Sequence, residues 1–291
     1  MINYTLPDFT SALGLNLFFA RLYSEQPEIM RENVRIDSIY GCFPSCPLNG
    51  GRAATLEPFS REKVRWTFSV LEEYGLHARL TLTNMLAGER ELNSPYSRMI
   101  LEEAARANAQ AIVYSDEVAR FVKEHYGLGL VLSTTREILD APTLNQALEK
   151  FDYVVLNYNL GKDSAFLSQI KNRDRLELMV NEYCQPNCPN RQKHYLHNSK
   201  DQLEGVLHEF ACPANKPSFF EHKPGDPITF TADEVYKTAL DFGIEWFKIV
   251  GRGTGFDANL EALAYYLVKD EYHALVKQQV QKLINLQPSK C

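Results

Sequence analysis

The stretch Leu176–His197, LELMVNEYCQPNCPNRQKHYLH, is where the chain passes from scaffold to chemistry. Leu176, Leu178 and Val180 occupy alternate positions with Met179 between them, the pattern of a short, mostly buried strand over Leu176–Glu182. Its polar end begins at Asn181. Cys184 and Cys188 follow in a CxxxC spacing, each near a proline (Pro186, Pro189) that opposes helix and favours an exposed, fixed loop. A buried strand that runs into a loop of reactive side chains is the unit from which an α/β barrel builds its mouth.

Working outward, the same alternation recurs. Helical runs near Ser60–Tyr74, Pro95–Ala107, Glu117–His125 and Leu144–Phe151 precede strand candidates at His77–Thr83, Ala111–Tyr114, Gly129–Ser133 and Tyr153–Tyr158. Short apolar strands joined by crossover helices of near-constant length predict a TIM-barrel-like (β/α) barrel, a single domain over residues 1–291, with an open doubly wound sheet as the alternative. After His197 the periodicity weakens, and Asn198–Asp226 reads as an irregular excursion over the mouth. A helix near Ala232–Phe242, a strand at Trp246–Val250, the turn Gly251-Arg252-Gly253 and helices over Ala258–Val268 and Glu271–Leu286 complete the wall.

Composition narrows the partners. A net charge of −6 and a pI near 5.7 disfavour a broad phosphate-binding surface, so nucleic acid is not indicated. The start has no basic leader and no span is long enough to cross a bilayer, which points to a cytoplasmic protein and no membrane. In a reducing compartment the six cysteines read as thiols, metal ligands or redox groups rather than disulfides. Gly251-Arg252-Gly253 lacks the further residues of a P-loop or dinucleotide turn, and neither a Ser/His/Asp nor an HExxH signature is present.

A second cysteine loop lies at Arg35–Arg52, RIDSIYGCFPSCPLNGGR, where a strand-like run ends in Gly41, Cys42, Cys46, Gly50 and Gly51. The two CxxxC pairs are each followed by proline, Pro47 and Pro189. Because barrel loops after strands gather at one mouth, Cys42, Cys46, Cys184 and Cys188 are expected to converge on one metal centre, with Cys212 as a possible replacement and Cys291 irrelevant to it. Four thiolates suit a [4Fe–4S] cluster or a zinc ion; unliganded thiols are the remaining reading. Asn84, Ser115, Asp116, Thr134, Asn157 and Asn159 would rim the cavity, with capping or turn formation their favoured role.

Around that centre, His194 and His197 are proton donors or substrate contacts on one reading, packed or surface histidines on the other. Glu182 is a general base if burial raises its pKa, or a strand-end carboxylate paired with Arg191. Lys248 and Arg252, at and just past a strand end, would clamp an anionic substrate, or form salt bridges to Glu177 or Glu182.

Two segments, LELMVNEYCQPNCPNRQKHY and GIEWFKIVGR (Gly243–Arg252), resemble the collagenase-like peptidase family over roughly Leu176–Tyr266. The resemblance implies a barrel-like fold and, for members connected with oxygen-independent hydroxylation of ubiquinone precursors, transfer RNA or ribosomal RNA, a four-cysteine iron–sulfur cluster. Glu177, Cys184, Cys188, Lys248 and Arg252 match motif positions, whereas Cys42, Cys46 and Cys212 do not map. The chain departs from the family in the closer spacing of Cys184 and Cys188 and in carrying the Cys42/Cys46 pair. The function so implied is an iron–sulfur-dependent, oxygen-independent hydroxylation or related redox modification of a small or aromatic substrate. Glu182 and His194 would be catalytic there, and Glu177, Lys248 and Arg252 would bind substrate. The alternative is a zinc- or iron–sulfur-stabilised binding or assembly subunit with a protein partner; peptide hydrolysis comes third.

Overall fold

The computed structural model describes residues 1–50, 56–212 and 225–286. Among them eight parallel strands close a barrel in chain order: β1 (Ile2–Pro7), β2 (Val34–Gly41), β3 (His77–Leu82), β4 (Gln110–Val113), β5 (Gly129–Leu132), β6 (Tyr153–Val155), β7 (Leu176–Met179) and β8 (Trp246–Lys248). β1 pairs with both β2 and β8, placing Thr5 opposite Ser38 on one side and Lys248 on the other, which rules out the open sheet. The outer layer comprises α1 (Leu13–Glu25), α2 (Arg61–Glu73), α3 (Glu89–Leu92), α4 (Pro95–Arg106), α5 (Asp116–Tyr126), α6 (Ala141–Lys150), α7 (Ser164–Leu167), α8 (Arg191–Glu204), α9 (Ala232–Phe242), α10 (Phe256–Leu267) and α11 (His273–Leu286). Among the described residues no helix is long and apolar enough to cross a membrane.

Local chemistry fixes these boundaries. Ser60, Ser94, Ser115 and Asp140 each cap a helix by accepting a backbone N–H from the first turn. α9 opens on a capping box between Thr231 and Glu234 and ends at Gly243, whose φ of +67° lies in the left-handed region that favours glycine.

Two apolar layers result. The larger packs the outward strand residues, such as Leu6, Ile39, Leu80 and Phe247, against the helices. The smaller lies inside the barrel and includes Tyr40, Ile112, Val131, Val155 and Met179. Side chains two residues apart on a strand share a face. Stepping back two residues from Tyr40, Thr81 and Met179 therefore reaches Ser38, Arg79 and Glu177, a polar layer at the barrel's centre.

The fold departs from the sequence expectation at two places. Ile2–Pro7 and Leu13–Glu25 are a strand and a helix that the sequence pattern did not mark, so Cys42 follows the second strand rather than the first. All six residues of β1 are buried, and its alternation of Ile2, Tyr4 and Leu6 with Asn3 and Thr5 was the available signal for a strand. Second, α8 continues to Glu204 and stops at Gly205, which shortens the expected excursion from its N-terminal side. Residues 213–224 of that excursion, with Pro213, Pro217, His222 and Pro224, and also Cys291, lie outside the described residues.

Candidate active site

A cavity of about 120 Å³ opens at the C-terminal mouth of the barrel, and Lys248, Arg252, Glu182, Cys184, His194 and Cys212 all line it. Its floor is the last turn of the strands. There Lys248, 7% exposed, ends β8 with its Nζ 3.7 Å from the centre of the Tyr40 ring and 3.9 Å from Glu177 Oε2. Nζ has no hydrogen-bond partner among the described residues. Burial drives the Lys248 pKa down to about 7, against the pull of Glu177 and with the help of Arg79 and Arg252.

Below Lys248 the polar layer is tied together. Glu177 Oε1 accepts from Arg79 Nη1 at 2.6 Å and from the Thr5 hydroxyl, and Thr5 is also 3.0 Å from the Ser38 hydroxyl. Burial alone would raise the Glu177 pKa, but Arg79 and Lys248 outweigh it and hold the carboxyl below its usual range. Arg79 also donates to Gln110 and lies 4.8 Å from the Tyr153 ring centre. The barrel centre is thus a charged layer where bulky branched residues are the common filling.

Arg252 enters from the loop after β8. Its Nη1 donates to Thr81 Oγ1 at 2.6 Å, and the Cys42 thiol interacts favourably with its charge. Gly251 permits this approach: a Cβ there would stand 1.8 Å from Asn259 Oδ1 and 2.6 Å from Pro7 Cγ.

The opposite wall is the loop between β7 and α8. Glu182 Oε1 accepts from the backbone N–H groups of Tyr183 and Cys184, while Oε2 accepts from Arg191 Nη2 at 2.8 Å. Arg191 is buried and stacks 4.1 Å from the Tyr158 ring centre, and Tyr158 in turn receives the Cys188 N–H. Glu182 therefore takes the paired-carboxylate role, shaping the cysteine loop. Cys184 and Cys188 are half-buried; burial raises the Cys184 thiol against the pull of Arg191, and the neighbouring Glu182 and Cys188 raise it further. His194 lies on α8 and stacks on Phe210 at 4.5 Å, and His197 contacts Asp201 at 3.4 Å.

The expected four-thiol centre is not assembled. Among the described residues no group of three or more His, Cys, Asp or Glu side chains is placed to hold an ion. Cys42 and Cys46 are 2% and 1% exposed, and burial pushes their thiols up to about 11 and about 12. Cys46 packs in the layer between strands and helices, with Phe43 and Leu48. Matching spacing did not place both pairs at the cavity: Cys184 lines it, whereas Cys46 packs toward the helix layer. The described residues thus do not fit a cluster or zinc site in this arrangement.

Among the rim residues, Thr134 lines the cavity. Ser115 caps α5, and Asn84 and Asn157 close local turns by accepting the N–H two residues on. Arg79 and Tyr40 went unmarked by sequence. An arginine inside the strand run His77–Leu82 was the available signal, since a buried guanidinium demands a partner.

No protein-family profile and no curated protein sequence matches the chain. Among solved structures, a U32 peptidase superimposes with a TM-score of 0.51 over 87% of this chain and 93% of its own, at 17% identity. The fold resembles that of a U32 peptidase. The Bacillus cereus spore cortex-lytic enzyme SleL is 10% identical over 91% of this chain and 74% of its own, with a TM-score of 0.45. A D-tagatose 3-epimerase-like protein is 11% identical over 95% and 99%, with a TM-score of 0.44. At such identities the likeness is one of fold, and the chemistry must be argued from the cavity itself.

Proposed function

We propose that this chain is an enzyme related to the collagenase-like, or U32, peptidase group, and that it acts on a small anionic substrate bound at the barrel mouth. The observation that supports this reading is the pair of cationic side chains on one cavity, Lys248 at its floor and Arg252 at its wall, in a chain of net charge −6. A buried ammonium without a hydrogen-bond partner is costly to the fold, and such groups persist where a ligand uses them. Arg252, held by Thr81, carries a planar guanidinium, a fork suited to a carboxylate or phosphate.

Calorimetric titration with small carboxylates and phosphates tests the reading. Arg252→Lys keeps the charge and loses the fork, so affinity should fall about tenfold, the equivalent of one charge-assisted hydrogen bond, with little loss of thermal stability. A fall in thermal stability with unchanged affinity makes Arg252 structural.

Oxygen-independent hydroxylation on an iron–sulfur cluster is a second reading, favoured by the interacting thiols Cys184 and Cys188 of one loop, with Cys184 and Cys212 both lining the cavity. It requires Cys42 and Cys46 to leave their packed positions or other ligands to replace them. Iron and sulfide in equal amounts after anaerobic purification would support it; zinc in their place would favour the metal-stabilised binding subunit, and metal-free protein removes both. The peptidase likeness is of fold and carries no peptide hydrolysis to this chain.

A further inference from the structure

Lys248 is placed unlike an ion-pair lysine. Its nearest carboxylate oxygen, Glu177 Oε2, is 3.9 Å away, while the other oxygen of that carboxylate is taken by Arg79 and Thr5. Tyr40 covers one side of Nζ, Arg79 and Arg252 add positive charge around it, and Nζ itself is buried while the Lys248 side chain lines the cavity. One carboxylate thus faces two cations below the cavity, and a third cation stands on its wall.

We infer that Lys248 is a nucleophile, condensing with the carbonyl carbon of a small substrate whose anionic group is held by Arg252. This deepens the reading of the mouth as a substrate site and rests on it. The amine lone pair forms the C–N bond as the carbonyl π pair moves to oxygen, and one amine proton passes to that oxygen to give a carbinolamine. The hydroxyl then leaves with the second amine proton as water, and the C=N bond of an imine forms. No oxidant or reductant is consumed. Protonated by solvent, the imine carries the positive charge that the ammonium carried, and ionised Glu177 is there to stabilise it. The iminium withdraws electrons from the adjacent carbon, so the chemistry it serves is cleavage or formation of a bond at that carbon.

The electrostatics supply the free amine that the step requires. With its pKa near 7, about half of Lys248 is neutral at pH 7, whereas an ordinary lysine near 10.5 holds roughly a thousandfold less amine.

The test is reductive trapping on the full chain. Pyruvate and glyoxylate, as carboxylate-bearing carbonyl probes, and acetone, as an uncharged one, are added at pH 7 with borohydride, and modified peptides are mapped by mass spectrometry. The expected result is a single adduct on the peptide containing Lys248, formed from pyruvate or glyoxylate in preference to acetone, with its rate half-maximal near pH 7. Adducts spread over exposed lysines, with Lys248 unmodified, overturn the inference, and this mapping on the unaltered chain needs no variant. Calorimetry with pyruvate on the same preparation separates the failures. Binding that Arg252→Lys weakens, without an adduct at Lys248, sinks the lysine chemistry and leaves the anion site standing; no binding of any carboxylate or phosphate sinks both. Lys248→Arg, which keeps the charge without the nucleophile, should abolish the adduct.

Discussion

Arg79 of β3 and Glu177 of β7 meet at the centre of the barrel, Nη1 to Oε1 at 2.6 Å, with 1% and 0% of their side chains exposed. Neither charge has access to bulk water, so each depends on the other, and Glu177 also supports Lys248 from below. Removing one member of a buried pair leaves the other uncompensated at a cost of about 3–5 kcal/mol. Glu177→Gln keeps the shape and removes the charge. It should lower stability by an amount in that range in urea unfolding, and should push the Lys248 pKa further down. Unchanged stability would show that Arg79 finds compensation elsewhere.

The two cysteine pairs should react differently with iodoacetamide. Cys42 and Cys46 are buried with thiols raised to about 11 and about 12, so at pH 8 they should stay unmodified until the chain is unfolded. Cys188, half-buried at the rim, should label in the native protein. Peptide mapping before and after denaturation reads the difference; equal labelling of both pairs contradicts the packing described here.

Acid stability should carry the signature of Glu103. Arg65 foremost, with Arg61 and Arg106, holds its carboxyl at about 2 against an ordinary 4.5, although burial pushes the other way. A depressed carboxylate pKa contributes stability above the unfolded value and loses it as pH falls through the folded one. Wild-type protein should therefore lose stability between about pH 4.5 and 2 that Glu103→Gln lacks from the outset, so the two melting curves converge toward acid. A gap that is constant from pH 7 to 2 would count against the three-arginine arrangement.

Gly251→Ala should destabilise the chain through contact rather than conformation. The added Cβ meets Asn259 and Pro7, both packed close, and forced shifts of this kind cost roughly 1–3 kcal/mol. Because the loop would move to relieve it, anion binding through Arg252 should weaken as well. Calorimetry alongside thermal melting checks both, and a variant with wild-type values in each would show that the loop tolerates the methyl group.

Much of the barrel was legible because seven of its strands are short apolar runs bounded by helical periodicity, from Val34–Gly41 to Trp246–Lys248. β1 alternates Ile2, Tyr4 and Leu6 with Asn3 and Thr5, but it stands at the start of the chain with no helical run before it to bound it. The convergence of Lys248, Arg252, Glu182, Cys184 and His194 on the mouth followed from their places at or after strand ends, and the cavity contains all five. The joining of the two cysteine pairs did not follow. Spacing fixes how two thiols sit relative to each other in a loop, but not whether that loop faces the cavity or the helix layer.

What sequence alone determined is the succession of buried strands and crossover helices, hence the barrel and the end of it that carries the chemistry. Those patterns are local, set by periodicities of two and about 3.6 residues. Only the tertiary structure decided the protonation and pairing of the groups at that end. Arg79 and Glu177 are 98 residues apart in the chain, and Lys248 owes its lowered pKa to burial among side chains from β2, β3, β7 and the loop after β8. Desolvation and Coulomb interaction depend on distances in space, which no stretch of sequence contains.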